Sequence, residues 1–521
     1  MNKLLLMLII FSSLFANAQT PKDTFWHLNN YNKRSYAGID LEKGLALVKD
    51  KTPDTIIVAV IDAGVDVNHP DFEGRLWTNA KEIVGNGIDD DGNGYIDDIY
   101  GWNFCGDVTF DNMEVTREYL RLHTKYDKKT LNDIQDRADY NRYQVLKEKY
   151  LSENMDAKLN FQFFQDLHNG FEFLEDDYGK NITKAQLEAH KSKNKYEERA
   201  RLVLLNVAKK DKNFNYSEVK KELDGAYEQY DYMYNYGYNV KFDPREEKVG
   251  DNYADVTERV YGNNKVYYGE RFSNHGTHVA GIIAANSENG FGTKGICQSC
   301  KIMSIRAVPE GDERDKDVAN AIRYAVDNGA KVINMSFGKG FSSNPAVVKE
   351  AVAYAQSKGI LLVHAAGNDA ENNDIDENFP NDNKGEYGDV WLEIGASSWM
   401  RKPKMLADFS NYGKEEVDVF APGVAIYSTT PENQYEAFDG TSMASPVAAG
   451  VAALVWSYYP NLTAQQVKEI ITTSALPIKG RQRKPGSRKK TKVVKLSQTG
   501  AVVNVAEALK MAELITNPLV E

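Results

Sequence analysis

Six short runs along the chain are apolar without alternation: 55–61 (TIIVAVI), 301–308 (KIMSIRAV), 331–336 (KVINMS), 360–366 (ILLVHAA), 390–396 (VWLEIGA) and 417–421 (VDVFA). A strand with one wet face alternates polar and apolar residues. An unbroken run belongs to a strand covered on both faces, as in a parallel sheet. Between the runs, 316–330 and 345–359 place apolar residues at helical spacing and finish at glycine, as crossover helices do. The stretch 443–456 is apolar or alanine-small at nearly every position, which predicts a helix with no wet face. The pattern predicts an α/β fold, a parallel sheet covered by helices.

A different texture interrupts it. No proline occurs between Asp71 and Asp243, and residues 107–169 contain no glycine. Lys, Glu, Asp, Gln and Tyr dominate, with apolar residues at helical spacing, as in LNFQFFQDLHNGFEFL. Residues 107–240 are therefore expected to be a mainly helical insertion, too rich in Phe, Leu and Tyr to be disordered. It divides the main domain into 19–106 and 241–515. Within it Tyr230, Tyr232, Tyr234, Tyr236 and Tyr238 recur at period two, which predicts five rings on one face of an extended strand.

Residues 1–18 have one lysine, an apolar core and a small-residue site at Ala16-Asn17-Ala18, the pattern of a secretory signal peptide. The expected destination is the periplasm, the cell envelope or the outside, with no membrane span in the mature chain. The net charge of −12 argues against a nucleic-acid partner held through phosphates. Of the three cysteines, Cys297 and Cys300 can close one tight disulfide in an oxidising compartment. A zinc site there would need two more ligands, and Cys105 reads as a small buried side chain.

The apolar helix opens on Gly440-Thr441-Ser442. Hydroxyls in that place commonly cap a helix. They can also present a nucleophile where backbone N–H groups stabilise an oxyanion. Three other segments decide between these readings. Asp62 ends the run 56–61, at the sheet edge where α/β sites form. His275 stands at the start of an alanine-rich helix, before Gly276, and suits a general base. Asn368 follows a buried strand and Gly367, and its amide can donate to an oxyanion.

In this order the segments AVIDAGVDVNHPDF, HGTHVAGIIAA, VINMSFG, AAGN and DGTSMASPVAAG resemble the signatures of the subtilisin-like serine peptidases, the subtilases, over about 55–106 and 250–510. The resemblance implies a three-layer αβα sandwich and a serine endopeptidase acting on polypeptides through an acyl-enzyme. It implies Ser442 as nucleophile, His275 as base and Asp62 as its orienting acid, with Asn368 and the Ser442 N–H as the oxyanion hole. His278 would be a helix residue and not the base. Ser336, Phe337 and Gly338 would pair with the substrate backbone. Many relatives carry a histidine where this chain has Val447, and here 213 residues separate Asp62 from His275.

The loop NGIDDDGNGYIDDIYGW sets Asp89, Asp91, Asn93, Tyr95 (by its carbonyl) and Asp97 at alternate positions, with Gly94 at the turn. These are the first, third, fifth, seventh and ninth places of a calcium loop, although the twelfth is Tyr100 and not Glu. Structural calcium, common in subtilases, is the expected cofactor, and Asp71 resembles a ligand of a second family site. The rival reading is a non-catalytic envelope scaffold, its cleft occluded by the insertion. A scaffold has no use for the triad residues.

Overall fold

The computed structural model describes residues 21, 23–30, 37–130, 134–211, 214–382 and 385–517 of the 521-residue chain. The expected signal segment 1–18 lies outside the described residues. Among the described residues no helix is long and apolar enough to cross a membrane.

The described residues form two compact units, 110–243 and, together, 21–109 with 244–517. The larger is built on a nine-stranded sheet. Its main strands are β1 (Ile56–Asp62), β2 (Gly101–Asn103), β3 (Cys300–Arg306), β4 (Val332–Met335), β5 (Leu361–Ala365), β6 (Trp391–Ser397) and β7 (Val419–Pro422). From one edge the order is β2, β3, β1, β4, β5, β6, β7, then Ala501–Val502 and Leu476–Pro477. Every pairing is parallel except the one between the last two strands. Each of the six apolar runs forms a strand because neighbours cover both its faces and both its edges. β1 lies between β3 and β4, with Val58 opposite Ile302 on one side and Val332 on the other. The fold is the expected α/β sandwich.

The helix Thr441–Tyr458 is buried all round, from Met443 at 1% exposed to Trp456 at 2%. Its alanines let it lie close to the strands, and Gly450 lies against Ile296, which a Cβ there would meet at 3.0 Å. Sequence periodicity leaves two features unmarked, the three-residue β2 and the hairpin Ile426–Thr430/Gln434–Phe438. Cys297 and Cys300 are joined in a disulfide, and Cys105 is buried.

The smaller unit is helical, with helices Glu114–Tyr126, Arg137–Tyr178, Lys184–Ala189, Lys195–Lys210 and Tyr216–Tyr232. Phe164, Leu167, Phe171, Leu174, Leu204 and Leu223 form part of its own apolar core. The tyrosine stripe is not a strand. Residues 216–232 are α-helical and 233–237 continue as a π-turn. On a helix, residues two apart fall on opposite sides and residues four apart share a face. Accordingly Tyr230 stacks on Phe164 and Tyr234 on Phe161, while Tyr232 and Tyr236 stack on Phe110.

Candidate active site

Asp62 is the last residue of β1 and 1% exposed. Its Oδ1 accepts from the Ala63 N–H at 2.7 Å and faces Nδ1 of His275 at 2.8 Å. The loop after Asp62 is held by Arg306, the β3 residue in register with Asp62. That guanidinium is fully buried and donates to the carbonyls of Ala63 (3.2 Å) and Val108 (2.6 Å). His275 lies in the helix Gly269–Ala284, with its side chain 40% exposed. Partial desolvation of the ring disfavours the imidazolium, but the charge and hydrogen bond of Asp62 outweigh it, so His275 titrates above the ordinary histidine range. A side chain at Gly276 would meet the Gly64 carbonyl at 2.3 Å and Asp62 Oδ1 at 3.1 Å. Only glycine lets helix and strand end approach closely enough for the pair to form.

His278, one turn on, is fully buried, stacks on Phe438 at 4.2 Å and faces the Glu436 carbonyl through Nε2 at 3.1 Å. Burial brings it down to about 3, which leaves it neutral and away from the solvent-facing edge.

The two hydroxyls that open the helix 441–458 are not caps. Gly440 is the N-cap. The Thr441 hydroxyl accepts from the Gly367 N–H at 3.1 Å and donates to Asn368 Oδ1 at 3.0 Å. The Thr441 N–H reaches the same oxygen at 2.8 Å. With Oδ1 so held, the amide of the exposed Asn368 is oriented, and Nδ2 is the donor it has left to give. The Ser442 N–H belongs to the first helical turn and has no helical acceptor. Ser442 is half-buried between buried neighbours, and its Oγ donates to the Ser336 carbonyl at 3.1 Å.

Beneath Ser442 runs a polar chain that none of the motifs marks. Pro446 lies four residues after Ser442 and has no N–H to give its carbonyl. Ser336 Oγ donates there instead, at 2.8 Å. Asn334 Nδ2 donates to Ser336 Oγ at 2.9 Å, and Ser445 Oγ donates to Asn334 Oδ1 at 2.9 Å. Of the residues expected to bind substrate, Ser336 is therefore turned inward and buried. Phe337 is half-buried and Gly338 exposed. Lys339, just beyond, pairs its backbone with Phe379.

Of the carboxylates expected in the acidic loop, Asp89 and Asp91 come together and Asp97 does not. Oxygens of Asp89 and Asp91 come within 4.8 Å of each other and of Glu82, which the alternate-position pattern missed because it lies outside the loop. Asp89 also accepts from Gly92, Asn93 and Gly94 N–H groups. Asp97 turns away, accepting from the Gly85 and Gly87 N–H groups at 2.7 and 2.9 Å. Asn93 Oδ1 accepts from the Tyr95 N–H at 2.7 Å, and the Tyr95 hydroxyl donates to the Arg259 carbonyl at 3.0 Å. Three carboxylates, oxygen donors only, suit a hard cation such as calcium. Asp71 is fully buried and holds Asn289 Nδ2 at 2.7 Å and the Thr293 N–H at 3.1 Å.

The profile of the subtilase family matches residues 54–501. The chain is 40% identical over 209 residues to the thermophilic serine proteinase of Bacillus sp. (strain AK1), a match spanning 40% of this chain and 48% of that protein. It is 36% identical over 245 residues to subtilisin DY of Bacillus licheniformis, covering 46% of this chain and 84% of the relative. The chain thus spans about half the length of the first of these relatives. Among solved structures, Sphericase aligns at 26% identity with a TM-score of 0.40, covering 47% of this chain and 81% of that one. The motifs around Asp62, His275, Asn368 and Ser442 all fall inside the matched span, and the chain belongs to the subtilase family.

Proposed function

We propose that the protein is an exported serine endopeptidase that cleaves polypeptides through an acyl-enzyme on Ser442. The observation that carries this reading is the 2.8 Å contact between Asp62 and His275, at the same sheet edge as a helix-mounted serine and an amide held by Thr441. Ser442 Oγ attacks the scissile carbonyl while His275 Nε2 takes its proton, and Asp62 stabilises the imidazolium through Nδ1. The carbonyl oxygen, now negative, receives Asn368 Nδ2–H and the Ser442 N–H. The imidazolium then protonates the leaving amine, and water repeats the sequence to release the acid. Glu82, Asp89 and Asp91 would hold calcium, whose part is to neutralise the loop and stiffen it. The leader-like residues 1–18 support export to the periplasm, envelope or outside.

A fluorophosphonate labels only an activated serine. The parent should be labelled and should hydrolyse peptides, while Ser442→Ala and His275→Ala should lose both properties and remain folded. Turnover by either variant would refute the triad. A folded parent that takes no label would favour the scaffold reading instead.

A further inference from the structure

The helical unit 110–243 contains a polar cluster that the peptidase reading does not use. Asp177 lies in the last turn of the long helix Arg137–Tyr178, His190 caps the C-terminus of Lys184–Ala189, and Glu197 lies in the first turn of Lys195–Lys210. Each offers one ligand atom, and the three atoms lie within 4.8 Å of one another. The side chains of His190 and Glu197 are 3% and 1% exposed.

His190 is the informative member. Its Nδ1 lies 3.1 Å from the Tyr178 hydroxyl. Its Nε2 is buried without a hydrogen-bond partner and faces Glu197 Oε1 at 3.6 Å. That separation is too long for a hydrogen bond. It is close to the spacing of about 3.4 Å between two ligands that each stand about 2.0–2.2 Å from one tetrahedral zinc. Tyr178 can take the Nδ1 proton, and the Nε2 lone pair is then free for a cation held between the ring and the Glu197 carboxylate. An imidazole whose second nitrogen is engaged in this way is the usual form of a metal-ligating histidine.

The remaining contacts hold the ligands in place. Glu197 Oε2 accepts from the Lys193 N–H, which fixes the carboxylate and leaves Oε1 toward the histidine. Asn194 caps the same helix through the Tyr196 and Glu197 N–H groups at 2.9 and 3.0 Å. Asp177 is paired with Lys193 Nζ at 2.7 Å, but that lysine side chain is 65% exposed and is the weakly held partner. We propose that His190 Nε2 and Glu197 bind a zinc-class divalent ion that ties the helix 195–210 to the end of 184–189, with Asp177, which approaches the ring on its Nδ1 side at 4.0 Å, in the outer sphere once released from Lys193. Solvent completes the coordination. One nitrogen with carboxylate oxygens suits zinc rather than calcium, which takes oxygen alone.

The test is equilibrium dialysis of the full chain against zinc, with calcium saturating so that the acidic loop does not register. The parent should bind about one zinc per chain. His190→Gln and Glu197→Gln should each weaken binding more than tenfold, and the amide oxygen introduced by Glu197→Gln can still accept the Lys193 N–H. Tyr178→Phe keeps the packing and removes only the Nδ1 partner, so it should weaken binding about tenfold. Cobalt loaded in place of zinc should give a visible absorption band in the parent that is lost in His190→Gln. No zinc uptake by the parent, or uptake unchanged in Glu197→Gln and Tyr178→Phe, would overturn the site.

Discussion

Thr441→Val probes how the oxyanion donor is held. Valine keeps the shape and the backbone N–H that reaches Asn368 Oδ1 at 2.8 Å. It removes the hydroxyl that reaches the same oxygen at 3.0 Å and takes the Gly367 N–H at 3.1 Å. The hydrogen bond to Asn368 is worth about 0.5–1.5 kcal/mol, so the amide should lose order and kcat should fall about 2- to 13-fold. KM should hardly change, because the interaction matters most in the transition state. Asn368→Ala should cost far more, about 2.7–4 kcal/mol, a figure that comes from subtilisin itself. The decisive assay is the double-mutant cycle on a peptide substrate. If Thr441 is a positioning residue acting through Asn368, adding Thr441→Val to Asn368→Ala should cost almost nothing further. Additive losses, or a Thr441→Val effect confined to KM, would refute this reasoning.

Four further outcomes follow from the charges. His275 is raised above its usual 6.5 by Asp62, so the neutral base is lost as pH falls through that raised value; kcat/KM should climb only above about pH 6.5. Asp62→Asn should lower the rate by orders of magnitude and move that limb to lower pH, and a limb left in place would contradict the pairing. Burial pushes the Glu313 carboxyl up to about 8 from a usual 4.5, so the folded chain holds a proton the unfolded chain has released and stability falls as pH rises between those values. Glu313→Gln should therefore raise Tm more at about pH 9 than at about pH 5, and equal shifts would count against it. Calcium at about 100 Kd should add roughly 2.7 kcal/mol of stability, an effect weakened in Glu82→Gln; a Tm indifferent to chelation would remove calcium from the loop.

The sheet was legible because its signal is local and redundant. Six runs of doubly covered strand carry no alternation, and the helices between them carry period 3.6. β2 was not, since Gly101, Trp102 and Asn103 bear no pattern and join the sheet only through β3. The tyrosine stripe misled for a definite reason. Period two on a strand and two opposed stripes on a helix give the same letters, and what separates them is the partners. Phe161 and Phe164 on one side of the helix and Phe110 on the other take up the two sets of rings. The acidic loop misled differently. Alternate spacing implies carboxylates that converge, but Asp97 caps the 85–87 turn, and Glu82 arrives from outside the repeat.

The site's chemistry lay in the motifs; its support lay between them. Asn334 and Ser336 are two residues apart at the end of β4, so they share a face, and that face meets the helix 441–458. Both are polar in an otherwise apolar run. A buried polar side chain costs free energy unless it finds a partner. The helix has a matching defect, since Pro446 deprives the Ser442 carbonyl of its intrahelical bond. The two irregularities satisfy each other. Ser336 Oγ gives the carbonyl what the proline withholds, while the Ser336 carbonyl receives the Ser442 hydroxyl. Strand and helix are thus fastened at the residue proposed as nucleophile, from its backbone and from its side chain. A proline inside a buried helix and an Asn-x-Ser inside a buried strand each look like flaws in the sequence, and together they account for why Ser442 is held where it is.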